Sequence, residues 1–95
     1  MAMRIWVDDL REPPVRYSAW AKTSAHAIGM LRTAQIAKVD IDTISLDHDL
    51  GGDDTTRPVV LYMIENNIWP KQIFVHTANP VGQDWLVSMI ERYRP

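Results

Sequence analysis

The sequence predicts an α/β domain built on a single, mostly parallel sheet of about four strands flanked by helices. Short, β-prone apolar runs alternate with stretches of helical periodicity, the alternation that parallel sheets require. Each strong run also stops abruptly at polar groups, as in WVDD, SLDHD and FVHTAN. A chain of 95 residues, 46% hydrophobic and 23% charged, suits one globular domain over 1–95 and is too short for two. Helices are expected on both faces of the sheet, in a doubly wound arrangement.

The elements follow in order. MRIWV (3–7) reads as a buried strand ended by Asp8-Asp9. Pro13-Pro14 keeps the next segment, 10–16, extended, and YSAWAK (17–22) reads as an edge strand. That segment is too short for a helical crossover, so an extended one is expected to return the chain to a parallel second strand. Thr23 or Ser24 offers an N-cap to a helix over 24–35, with Ala27, Ile28 and Leu31 on one face. A strand over 44–49 then runs into the glycine-rich acidic loop Gly51-Gly52-Asp53-Asp54. Pro58 begins a helix over 58–67, capped by Thr55 or Thr56 and closed by Asn66-Asn67 and Pro70. IFVHT (73–77) is the third strong strand. Asn79-Pro80 is an N-cap with proline at the first helical position, opening a helix over 80–93 with a stripe of Trp85, Leu86, Met89, Ile90 and Tyr93.

Composition excludes several functions. With no cysteine, disulfides, thiolate zinc sites and thiol catalysis are ruled out. A net charge of −2 supplies no global field for nucleic acid or anionic lipid, so a phosphate-bearing partner must be held by local groups. No apolar run reaches membrane length, and Met1-Ala2-Met3-Arg4 leads directly into the first strand without a signal-peptide stretch. The chain is expected to be cytoplasmic and complete.

In open parallel sheets ligands bind beyond the carboxyl ends of the strands. Those ends carry Asp8-Asp9, Asp47-His48-Asp49 and His76-Thr77-Ala78-Asn79. Carboxylates converging on one spot repel unless a cation joins them, and magnesium, which takes oxygen ligands and retains waters for a phosphate, suits such a set. Solvated turn acids or helix caps are the plainer account of any one of them. Alternation places Asp47 and Asp49 on one face of their strand and His48 on the other. By the same rule His76 faces away from Thr77, so either the strand ends twist to bring the histidines to the pocket or the two share the opposite face and form a pair of their own.

An acidic pair ending the first strand, the aspartate of ISLDHDL and the Thr-Ala of FVHTA resemble the receiver domains of two-component signalling. The strings WVDDLREPP, SLDHDLGG and WPKQIFVHTANPVG resemble, over nearly the whole chain, a small branch called cyclic-phosphate processing receiver domains. The resemblance implies a shortened receiver (flavodoxin-like) fold that lacks the last strand–helix unit. It implies that Asp8 and Asp9 bind metal and that Asp47 is the phosphate-accepting position. Asp49 would lend a backbone carbonyl to magnesium, and the Thr77 hydroxyl would contact the phosphoryl group. Ordinary receivers carry a further strand with a phosphate-contacting lysine. None corresponds here, which argues against a conventional phosphorelay.

The resemblance also implies a substrate, a cyclic phosphate such as the 2′,3′-cyclic phosphate of an RNA end. His48 and His76 are of a type that moves protons near neutral pH, as opening such a ring demands. Arg11 and Arg57, in loops at the site end of the sheet, are candidates to hold phosphate in a fork geometry, or are simply solvated. Asn79 orients a phosphate oxygen or serves only as a cap. The tryptophans read as packing, and an exposed Trp20 would reopen a base-stacking role. The alternative is a non-catalytic receiver-like module that binds a partner protein through the final helix.

Overall fold

The computed structural model describes residues 3–95. Met1 and Ala2, the start of the run expected to lead into the first strand, lie outside the described residues. The order is β1 (Met3–Val7), β2 (Ala19–Ala21), α1 (Ser24–Ala37), β3 (Ile41–Leu46), α2 (Arg57–Asn66), β4 (Gln72–Val75) and α3 (Pro80–Tyr93). The strands form one parallel sheet ordered β2-β1-β3-β4, so the winding reverses between β1 and β3.

The expectation of helices on both faces is corrected. The connections β2-α1-β3 and β3-α2-β4 step across the sheet in the same direction. Right-handed crossovers therefore put both helices on one face. There α1 packs on α2 and α2 on α3. Their buried residues Ala27, Leu31, Val59, Val60, Met63, Leu86 and Ile90 close over Ile5, Val7, Ala21, Ile44 and Leu46 in a single core. The β1–β2 connection steps the other way, and segment 8–18 contains no helix. It crosses as an extended strap, as Pro13-Pro14 requires, and covers part of the opposite face: the Trp6 indole donates to the Arg11 carbonyl at 2.8 Å and packs edge-on to Tyr17.

The helix boundaries follow the capping chemistry. The Thr23 hydroxyl accepts from the His26 N–H, and the Asn79 side chain accepts from the Gly82 N–H with Pro80 following it. Thr56 is the N-cap residue of α2 but forms no side-chain cap bond, and Asn67 ends that helix in the left-handed conformation with φ 53°.

The strand expected over 44–49 starts earlier and ends earlier, at Ile41–Leu46. Asp42 is accommodated inside it because its carboxylate meets Arg4 at 3.3 Å and the Thr43 hydroxyl at 2.7 Å. The chain bends at His48, which frees 47–49 for the site. The third strong run stops likewise at Val75, and the edge strand shortens to Ala19–Ala21. Among the described residues no helix is long and apolar enough to cross a membrane.

One polar tie couples the first helix to the loop after β3. Asp54 accepts from the Ser24 N–H at 2.8 Å and from the Ser24 hydroxyl at 2.5 Å. Hydrogen bonds to an ionised acceptor contribute more than neutral ones. Asp54→Ala is expected to lower the unfolding free energy by about 1–2 kcal/mol in urea titrations, and Ser24→Ala in the same background should add little.

Candidate functional site

Register assembles the site. Beyond the last paired strand residues the ladder continues: the Asp8 N–H donates to Ala21, Asp47 to Val7 and His76 to Leu46, all at 2.9–3.0 Å. Asp8, Asp47 and His76 therefore sit in one transverse row. Because Val7, Leu46 and Val75 turn into the core, that row lies on the face without helices.

Asp8 is the anchor. It is 2% exposed, and a carboxylate so buried has to be hydrogen-bonded to stay charged. Oδ1 accepts from the N–H groups of Leu10 and Arg11 at 2.9 and 2.8 Å, and Oδ2 lies 3.0 Å from His76 Nε2. Burial works to raise its pKa, but the two backbone donors and His76 outweigh it and leave Asp8 below the ordinary carboxylate value. His76 Nδ1 is 2.7 Å from the Ser45 hydroxyl, and its ring stacks on Trp6 at 3.8 Å. With burial pulling the histidine below its ordinary value against the opposing charge of Asp8, the neutral ring accepts at Nδ1 and donates from Nε2.

Asp8, Asp9 and Asp47 present carboxylate oxygens that all lie within 4.8 Å of one another, a group that can hold a metal ion. The donor set is all oxygen, as hard divalent cations prefer. The Asp9 and Asp47 carboxylates accept no side-chain or backbone hydrogen bond among the described residues, so their lone pairs are free. Asp49 is not in this group. Its carboxylate bonds His48 Nδ1 and Asn79 Nδ2, each at 3.0 Å, and these bonds, Asn79 first, lower its pKa.

A cleft of about 350 Å³ opens beside the cluster, lined by Asp9, Leu10, Arg11, Asp47, Asp49, Gly51, His76, Thr77, Ala78 and Asn79. Arg11 thus reaches the site, whereas Arg57 and His48 do not line it. His48 is 5% exposed and lies on the helix side, its Nε2 accepting from Arg57 Nε at 2.9 Å, while the guanidinium covers Trp85. Of the two arrangements open to the histidines, the shared-face pair is corrected, because they lie on opposite faces of the sheet, and only His76 reaches the cleft. Thr77 Oγ1 accepts from the Asn79 N–H at 3.2 Å, keeping its own proton free to donate. Asn79 spends its amide on Asp49 and its oxygen on the helix cap. Ser45 lies outside the residues the sequence singles out, and its only signal is a hydroxyl inside the apolar run ISL.

The family model for the cyclic-phosphate processing receiver domain matches residues 3–92. The chain belongs to this family. No curated protein and no solved structure matches it. In this cyclic-phosphate processing receiver domain, strand ends β1 and β3 supply the acidic cluster, and the β4 end supplies His76 and Thr77.

Two outcomes follow from this packing. A Cβ at Gly82 would stand 2.3 Å from His48 Cγ, and His48 is held between Asp49 and Arg57. Gly82→Ala should therefore cost about 1–3 kcal/mol in denaturant unfolding, and less in a His48→Ala background. The second outcome concerns pH. A histidine held below its unfolded value of 6.5 contributes stability that is present above that value and lost as pH falls through its folded value. Asp8 and Asp49, held below 3.8, contribute stability that is present above 3.8 and lost only at lower pH. Melting temperature in metal-free buffer should fall in two stages on acidification, and His76→Asn should remove the upper one.

Proposed function

We propose that the domain binds magnesium through Asp8, Asp9 and Asp47 and opens a cyclic phosphate ester in the adjoining cleft, with 2′,3′-cyclic phosphate ends of RNA as the substrate class. The observation that carries this is the convergence of three carboxylates within 4.8 Å beside a cleft also lined by Arg11 and Thr77. The family description supplies the cyclic phosphate. Bound magnesium would neutralise the phosphate and the acids together.

The chain's own residues divide the remaining work. Asp47, with no hydrogen-bond partner among the described residues, takes a proton from the attacking water. The water oxygen bonds phosphorus, one ring P–O bond breaks, and the departing oxygen takes a proton from solvent in the open cleft. Arg11 and the Thr77 hydroxyl hold the phosphate oxygens. Both ring nitrogens of His76 are engaged, by Ser45 and Asp8, so we assign it to aiming Asp8 rather than to the phosphate. His48, Asp49 and Asn79 brace the end of β3 against the start of α3, and Arg57 holds His48.

A second reading, a non-catalytic module docking through α3, draws on the outward Val81 and Tyr93 of that helix, 72% and 43% exposed.

Asp47→Asn separates the two. On the catalytic reading it lowers magnesium-dependent hydrolysis of a nucleoside 2′,3′-cyclic phosphate by about 10²–10⁴-fold with the fold intact. It also raises stability in metal-free buffer by about 1–2 kcal/mol, through relief of carboxylate repulsion. Magnesium binding by the wild type without any turnover would favour the docking module. A melting temperature indifferent to magnesium and to Asp47→Asn would leave the three acids as solvated turn residues.

A further inference from the structure

The helix-free face of the sheet continues the site. One row behind Asp8, Asp47 and His76, strand register aligns Trp20 with Trp6, Trp6 with Ser45 and Ser45 with Phe74. All four side chains point away from the core formed by Ile5, Val7, Ile44, Leu46, Ile73 and Val75. Three of the four positions are therefore aromatic, and the fourth is the serine over which His76 reaches to Asp8. The aromatics are not equally available. Trp6 is buried beneath Tyr17 and His76, and the Lys22 ammonium sits 4.4 Å over the Trp20 ring. Phe74 is 50% exposed and has no aromatic or cationic partner among the described residues.

Phe74 in β4 and His76 just beyond its end, where the ladder bonding continues, are successive same-face positions about 6.6 Å apart along the chain direction, and His76 lines the cleft. The half-exposed ring thus lies on the same face of the sheet as the acidic cleft and one same-face position behind it, with anionic-ligand chemistry at one end and an aromatic ring at the other. Ribose spans a comparable distance between its phosphate and its base, and only ribose carries the vicinal hydroxyls on which a 2′,3′-cyclic phosphate forms. Open sheet faces carrying aromatic side chains are a recurrent platform for unpaired bases.

We propose that Phe74 is the base-stacking subsite for the nucleoside whose cyclic phosphate lies in the cleft, so that the domain recognises a terminal nucleotide and not a bare cyclic phosphate. This rests on the cyclic-phosphate reading above. Stacking is tolerant of base identity, because every base has a π-face, and the subsite discriminates nucleoside from non-nucleoside rather than one base from another.

The test compares adenosine 2′,3′-cyclic phosphate with base-free glycerol 1,2-cyclic phosphate, bound to the magnesium-loaded protein and followed by stopped-flow tryptophan fluorescence ahead of turnover. The nucleotide should bind at least about 10-fold more tightly, in line with base–aromatic stacking elsewhere. Phe74→Ala should abolish that preference while leaving glycerol-phosphate affinity and the magnesium titration unchanged, and Phe74→Trp should preserve it. Equal affinity of the wild type for both compounds, or a preference that survives Phe74→Ala, overturns the base subsite and leaves the cyclic-phosphate reading standing. A wild-type dimer that Phe74→Ala dissociates in sedimentation would assign the face to self-association and overturn it too. If neither compound binds, both readings fall together.

Discussion

A charge as deeply buried as that of Asp8 persists only where every nearby donor is turned toward it. Two donors come from the strap after β1, the N–H groups of Leu10 and Arg11, and a third from His76 at the end of β4. The Trp20 indole donates to the Asp8 backbone carbonyl at 2.7 Å, which brings in β2 as well. Three of the four strands and the extended crossover are therefore referenced to one residue. The strap has no helix to define its path, and this carboxylate and the Trp6 indole set its course. The same bonds hold Asp8 ionised, so the group that organises the strand ends is also the fixed member of the acidic cluster. Asp9 and Asp47 carry the remaining freedom, which a cation needs if it is to draw ligands to its own geometry.

The strand ends divide their labour by face. On the helix side, Arg57 of α2 holds His48, and Asp49 and Asn79, which also line the cleft, carry the bonding on from His48 to the start of α3. On the open side, Asp47 and His76 line the cleft, with the buried Asp8 beside them. The arrangement resembles a metal centre with its supporting shell, in which outer groups such as Ser45 and Trp6 fix the tautomer and tilt of the histidine that fixes the ligand. The absence of a helix between β1 and β2 matters here. A helix in that crossover would lie on this open face, where a thin extended strap instead leaves Phe74 and the cleft exposed.

Much of this was legible in the sequence for local reasons. Periodicity and caps at Thr23, Asn79 and Pro80 depend on neighbours within a turn, so the helix starts lie at or within one residue of their expected positions. The polar endings of the apolar runs marked the strand ends, and Pro13-Pro14 required an extended crossover. Strand limits were less legible because they depend on partners. Asp42 is tolerable inside β3 only because Arg4 on the neighbouring strand reaches it.

The sequence by itself determined the alternation of elements, the acidic strand ends and the parity within each strand: His48 opposite Asp47, His76 opposite Thr77. Only the tertiary structure decided how those parities combine. Parity is a period-2 property of one strand, whereas the match between strands is set by register, through contacts between residues far apart in the chain. Leu46 pairs with Val75, which makes Asp47 the neighbour of His76 and sends His48 to the far side of the sheet. The same register brings Trp20, Trp6, Ser45 and Phe74 into one row, and the shared direction of the two helical crossovers leaves that row uncovered by helices. No local pattern encodes either outcome, because each depends on which strands become neighbours as the core closes.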